Sequence, residues 1–151
     1  MAKEISTKNS EETQKIGESF VKSIKKKNGR KAIIVALEGD LGGGKTTFAQ
    51  GLARGLRLKD SITSPSFVLI KKYQLKEKNC KIENLYHIDC YRLNKSWQLQ
   101  ELGLEEIIND PKNLVVIEWA ERVEEILPKD KTVIKFEWVD ENKRKITFNN
   151  K

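Results

Sequence analysis

Gly39-Asp40-Leu41-Gly42-Gly43-Gly44-Lys45-Thr46-Thr47 is the stretch on which the fold turns. Its frame, Gly-x4-Gly-Lys-Thr across residues 39–46, is the spacing of a loop that wraps its backbone around a polyphosphate where a strand gives way to a helix. The glycines at 42–44 accept positive φ and carry no Cβ, so successive N–H groups turn inward as a nest of donors. A helix opening near Lys45 adds its unpaired N–H groups and the positive end of its dipole. Lys45 then reaches the β and γ phosphates as a point charge, Thr46 is placed to ligate Mg2+, and Thr47 leans toward the α phosphate. All nine residues, from Gly39, Asp40 and Leu41 through Thr47, are candidates for holding a nucleoside triphosphate with Mg2+.

The flanks support this reading. Ala32-Ile33-Ile34-Val35-Ala36-Leu37 is an unbroken apolar run, the pattern of a strand buried on both faces, and it ends directly at Glu38-Gly39. Beyond the loop, Phe48, Leu52 and Leu56 with Ala49 and Ala53 recur at three- and four-residue spacing, a helix with one apolar stripe that stops near Gly55. Upstream, Ser10 is expected to cap a helix with Glu11 and Glu12 in its first turn and Ile16, Phe20 and Ile24 on one face, stopped by Asn28-Gly29.

Downstream, residues 68–75 and 82–89 read as two strands joined by a charged turn, a local hairpin within or beside a parallel sheet. Residues 97–108 have helical spacing interrupted by Gly103. Leu114-Val115-Val116-Ile117 is a second continuous apolar run, and residues 132–138 and 145–148 supply the last strands. Strands alternating with helices around a phosphate loop give the expected fold class. It is a three-layer α/β domain of the P-loop NTPase type, with a central mostly parallel sheet and helices on both faces, in one domain over residues 1–151.

Composition narrows the classes further. No long uncharged apolar run suits a membrane span, and Met1-Ala2-Lys3-Glu4 does not begin a signal peptide, so the expected location is the cytoplasm. Cys80 and Cys90 lie in no metal-binding or redox spacing and read as reduced thiols. The net charge of +7 is uneven: Lys22, Lys25, Lys26, Lys27, Arg30 and Lys31 form one cluster, and Lys71, Lys72, Lys76, Lys78 and Lys81 a second. Such clusters attract phosphate backbones or acidic protein faces, or are simply solvated surface. Aromatic residues are not interleaved with these lysines in the way a single-strand stacking platform requires.

Two carboxylates end apolar strands, Asp89 in His87-Ile88-Asp89 and Glu118 in Val116-Ile117-Glu118. Ligands of open α/β sheets bind beyond the carboxyl ends of the strands, so both are candidates to face the metal, the alternative being that either caps a following helix. Thr63-Ser64-Pro65-Ser66-Phe67 is a hydroxyl-rich segment, either a sensor closing over the γ phosphate or a plain surface turn.

These segments together resemble the TsaE family, small ATPases needed for threonylcarbamoyladenosine (t6A) modification of tRNA. The resemblance rests on G-D-L-G-G-G-K-T-T at 39–47, T-S-P-S-F at 63–67, H-I-D-C-Y-R-L at 87–93, E-L-G-L-E-E at 101–106 and E-W-A-E at 118–121, and covers nearly the whole chain. Gly43 stands where alanine is usual and Ser66 where threonine is frequent; neither change removes a donor or a ligand. The resemblance implies slow ATP hydrolysis with Mg2+ and association with the TsaD and TsaB proteins, which transfer threonylcarbamoyl to adenosine 37 of tRNAs reading ANN codons. It also implies residue roles. Lys45 stabilises the phosphates, Thr46 and Glu118 hold Mg2+, Asp89 orders water or metal, and Trp119 flanks the site. Segments near Ser6-Thr7 and at 140–144 would shape the adenine end.

Two other classes share parts of the pattern. A small-molecule kinase has the same loop but generally adds an arginine-bearing lid, for which no segment is long enough. A basic nucleic-acid-binding module suits the pI of 9.3 but leaves Asp89, Glu118 and the loop without a task. A GTPase would carry Asn-Lys-x-Asp, and neither Asn94-Lys95 nor Asn142-Lys143 has the aspartate.

Overall fold

A computed structural model describes residues 2–27, 29–59, 62, 69–76 and 81–150. The 63–67 segment, Cys80 and the tip of the charged turn lie outside the described residues. The strands are β1 (Ala2–Thr7), β2 (Ile33–Gly39), β3 (Ile70–Gln74), β4 (Asn84–Asp89), β5 (Asn113–Glu118), β6 (Thr132–Trp138) and β7 (Arg144–Asn150). The helices are α1 (Ser10–Lys25), α2 (Lys45–Gly55), α3 (Trp97–Glu101) and α4 (Leu104–Ile108), with a 3-10 segment at Ala120–Ile126.

One seven-stranded sheet runs in the order β1-β7-β6-β2-β5-β4-β3. Its centre, β6-β2-β5-β4, is parallel, and the outer pairs are antiparallel. The expected mixture is therefore resolved into a parallel middle flanked by a hairpin on one side and a two-strand antiparallel extension on the other.

The apolar runs read from the sequence occupy the middle because only there are both faces covered. Val35, Leu37, Leu114 and Val116 pack with Phe48, Leu52, Val21 and Ile24 of α1 and α2. Ile34, Ala36, Val115 and Ile117 pack on the opposite face with Leu99, Leu104, Ile107 and Val123 of α3, α4 and the 3-10 segment. Each fully buried leucine or phenylalanine side chain contributes roughly 1.5–3 kcal/mol by leaving water. Gly103, at φ 92°, ends one short helix and starts the next, as its position in the sequence anticipates.

Two local readings change. The cap of α1 is Asn9, not Ser10: Asn9 has extended backbone at φ −162° and its side chain accepts the Glu12 N–H at 2.8 Å, leaving Ser10 as the first helical residue. The buried face of α1 is Thr13, Gly17, Val21 and Ile24, with Ile16 and Phe20 beside it, because α1 is pressed backbone-to-backbone on α2. A Cβ on Gly51 would lie 2.0 Å from the Gln14 carbonyl oxygen, so glycine alone permits this approach. The contact sets where α2, and hence the loop before it, sits over the sheet.

Candidate functional site

The loop between β2 and α2 forms the floor of a cleft of about 870 Å3 at the carboxyl end of the parallel strands. Leu41, Gly42, Gly43, Gly44, Lys45, Thr46 and Thr47 line it together with Asp89, Glu118 and Trp119. Gly39 and Asp40 do not line it and instead tie the loop to β6, where the Asp40 N–H donates to the Phe136 carbonyl at 3.0 Å. Gly42 and Gly44 have φ of 74° and 104°, and Gly44 caps α2 with no side-chain hydrogen bond. The first-turn N–H groups of an eleven-residue helix are thus left for a ligand, as a phosphate requires.

Lys45 is only 5% exposed. Its ammonium donates to the Gly39 and Asp40 carbonyls at 2.8 and 2.7 Å and lies 3.9 Å from the centroid of the Trp119 ring. Burial holds its pKa below the ordinary value, opposed by the carboxylates of Glu121, Glu118, Asp40 and Asp89. A buried cation surrounded by acids and carbonyls is a point charge aimed at one place, which suits a polyphosphate better than a mobile surface lysine would.

Glu118 and Asp89 are brought together because β4 and β5 are parallel neighbours, with Asp89 paired opposite Glu118 in the register. Glu118 is 3% exposed and has both oxygens engaged. Oε1 accepts the Thr46 hydroxyl at 2.7 Å, and Oε2 lies 2.5 Å from Nε2 of the fully buried His87. The Nε2 contact braces the Glu118 side chain from behind, and among the described residues the His87 Nδ1 has no hydrogen-bond partner. Asp89 is half-buried and accepts the Tyr91 N–H at 3.0 Å. Burial raises its pKa, and the neighbouring Glu118 adds to this while the Tyr91 bond opposes it.

The donor set fits Mg2+. Thr46 and Glu118 offer two adjacent hard oxygens at the mouth of a phosphate nest, the protein share of a cation that keeps its remaining ligands from phosphate and water. Among the described residues no three His, Cys, Asp or Glu side chains converge as a self-sufficient cage.

Several contributors were not singled out in the sequence. Glu121 accepts the Gly39 N–H at 2.9 Å, fastening the start of the loop to the chain after β5. The turn from β5 into the 3-10 segment is made by Trp119, expected from the sequence to flank the site, a non-glycine residue at φ 59° whose left-handed backbone costs about 1 kcal/mol or more. Tyr91 packs on Trp119 with ring centroids 4.9 Å apart. His87 lies two residues before Asp89, so strand alternation alone puts both on one face, a signal available in the sequence.

At the far side, Arg144 donates to the Gly42 carbonyl at 2.6 Å and lines the cleft with Asn142 and with Asn9 and Thr13 of the α1 start. Ser6 and Thr7 do not line it. Thr7 is 1% exposed and shares a 2.8 Å hydroxyl contact with Thr13, so the N-terminal contribution comes a few residues later than expected. Cys90 is a free, buried thiol whose pKa is pushed up to about 12 by burial, which keeps it an inert packing group beside the site.

Comparison with known proteins converges on one family. The family model described as threonylcarbamoyl adenosine biosynthesis protein TsaE matches residues 7–146. The tRNA threonylcarbamoyladenosine biosynthesis protein TsaE of Bacillus subtilis is 38% identical over 115 residues, 76% of this chain and 68% of that protein. Its namesake in Haemophilus influenzae is 32% identical over 127 residues, 84% of this chain and 77% of that one. The crystal structure of YdiB from Bacillus subtilis superposes with a TM-score of 0.72 at 33% identity, covering 98% of this chain and 84% of that chain. Phosphate loop, paired strand-end acids and sheet order thus coincide with a family match over nearly the whole length, and the chain belongs to the TsaE family.

Proposed function

We propose that this protein is a Mg2+-dependent P-loop ATPase required for t6A modification of adenosine 37 in tRNAs reading ANN codons, acting in the cytoplasm with the TsaB and TsaD proteins. The relatives bear the name of tRNA threonylcarbamoyladenosine biosynthesis, which supports the tRNA half of the reading. The observation that carries the ATPase half is the 2.7 Å bond between Thr46 and Glu118 beside buried Lys45, at the open N-terminus of α2.

The chemistry follows from placement. Amides of the loop bind and orient the triphosphate, and Lys45 offsets charge on the β and γ phosphates. Thr46 and Glu118 would hold Mg2+, which supplies further charge neutralisation when bound. Asp89 orders the water that attacks the γ phosphorus in line as the bond to the ADP oxygen breaks. Trp119 walls the site against bulk solvent, and the full rate waits for a partner.

Phosphate release is measured with ATP and Mg2+, with and without TsaB and TsaD proteins from the same cell. A rise on their addition is expected. No binding heat with ATP and Mg2+ sinks the nucleotide half; turnover indifferent to the partners sinks the assembly half.

A further inference from the structure

A second cleft, of about 390 Å3, opens at the opposite end of the sheet. Its described lining includes Lys25, Lys27, Lys31, Lys81 and Lys112, and neither a carboxylate nor an aromatic ring. Three lysines of the first sequence cluster, Lys25, Lys27 and Lys31, meet here with Lys81 from the second and with Lys112, which belongs to neither. Lys31, Lys81 and Lys112 stand just before β2, β4 and β5, while Lys25 ends α1 and Lys27 follows it. Lys27 donates a 3.0 Å bond to the Thr132 hydroxyl at the start of β6. Lysines are therefore spread over the amino ends of four adjacent strands, roughly 14 Å at about 4.8 Å per strand.

We infer that this cleft is a binding site for the phosphate backbone of a structured RNA, separate from the nucleotide cleft. Three features select that ligand. Charge of one sign lines a concave surface, which focuses its field on a polyanion. The charged residues are all lysines, the residue that protein interfaces deplete, and no tyrosine or tryptophan of the kind they enrich stands in the described lining, so an acidic protein face is the poorer match. With no ring to stack on, bases are not read, and recognition is of backbone and shape. The 3.6 Å contact of Lys112 with Glu83 is between exposed side chains, a pairing weak enough to be exchanged for phosphate. The choice of RNA over DNA rests on the tRNA reading above; the chemistry of the cleft asks only for consecutive phosphates. β2 runs from this cleft to the phosphate loop, and its seven residues separate the two sites by roughly 20 Å.

The test is fluorescence anisotropy with a labelled, unmodified tRNA transcript and the whole protein across a salt series. The triple variant Lys31→Glu, Lys81→Glu, Lys112→Glu is expected to bind at least about tenfold more weakly and to flatten the log–log salt slope by about 2, since each lost phosphate contact removes roughly 0.7–0.9. The control Lys3→Glu, Lys15→Glu, Lys129→Glu changes net charge equally on exposed positions outside the cleft and is expected to lose far less. Equal losses in both variants, or no binding by the unaltered protein, overturn the site. Displacement of labelled tRNA by polyglutamate as readily as by unlabelled tRNA overturns the RNA assignment in favour of an acidic protein surface. If the triple glutamate variant does not fold, the lysine-to-glutamine version reads the same slope. ATP turnover of these variants is expected to be unchanged, so an RNA site without ATPase activity, or the reverse, separates failure of this inference from failure of the functional reading.

Discussion

At the carboxyl end of the parallel strands charge is drawn inward: Lys45 is 5% exposed and Glu118 is 3% exposed, and both are held by named partners. At the amino end five lysines stand exposed around a cleft, Lys112 among them in loose contact with Glu83. The same sheet thus carries two kinds of basic chemistry. In the buried end one ammonium is worth much because little water screens it; in the exposed end each charge is screened and only their number counts. α1 touches both, with Thr13 in the cleft at the carboxyl end and Lys25 in the other.

The contrast is broken most directly by deleting one lysine at each end. Lys45→Ala is expected to weaken ATP binding at least about a hundredfold, close to 3 kcal/mol, and to leave no measurable heat in calorimetry at ordinary concentrations. Lys31→Ala is expected to leave ATP binding unchanged within about twofold. Comparable losses from the two substitutions would mean that general charge, and not a buried point charge, holds the nucleotide.

That difference was only partly legible in the sequence. β2, its loop and α2 are readable because their signals are local: an apolar run, glycines, then a 3.6-residue stripe. β1 is not readable, since Lys3-Glu4-Ile5-Ser6-Thr7 has one large apolar residue and takes its shape from antiparallel pairing with β7 at the other end of the chain. Asn9 and Ser10 are both good caps, and only the extended backbone of Asn9 decides between them. Lys45, Thr46, Asp89 and Glu118 could be named as candidates from strand ends and loop spacing. The brace on Glu118 could not, because His87 is 31 residues away and meets it only after β4 and β5 pair. The meeting of Lys25, Lys27 and Lys31 with Lys81 and Lys112 in one cleft has the same non-local origin.

That brace sharpens the inward end of the comparison. His87→Leu removes the hydrogen bond to Oε2 and, among the described residues, leaves Glu118 hydrogen-bonded to Thr46 alone, free to turn out of register with the loop. A positioning residue behind a metal ligand typically affects metal affinity or rate by roughly 10–100-fold. The expected result is an ATPase needing at least about tenfold more Mg2+, with metal-free ATP affinity unchanged. His87→Gln, which restores a donor, is expected to recover most of the loss. A melting-point drop in His87→Leu with no change in Mg2+ dependence would make His87 a core residue only.

The smallest expected effect is on stability and concerns Asp89. Burial, reinforced by Glu118, raises its carboxyl pKa above the ordinary value of 3.8, so the folded protein takes up charge there less willingly than the unfolded chain. That penalty is absent below pH 3.8, grows as pH passes from there through the raised folded value, and is complete at neutral pH. Asp89→Asn is therefore expected to melt slightly higher than the unaltered protein at pH 7 in the absence of nucleotide. The side chain is half-buried and partly screened, which limits the gain to under about 1 kcal/mol, or roughly 2–4 °C at most. The gain should shrink to nothing on acidification below pH 4, where the native carboxyl is neutral as well, while ATP turnover of the variant falls at every pH. Identical melting points at pH 7 would mean that solvent reaches Asp89 freely, and the inward-drawn charge of this end would then be confined to Lys45 and Glu118.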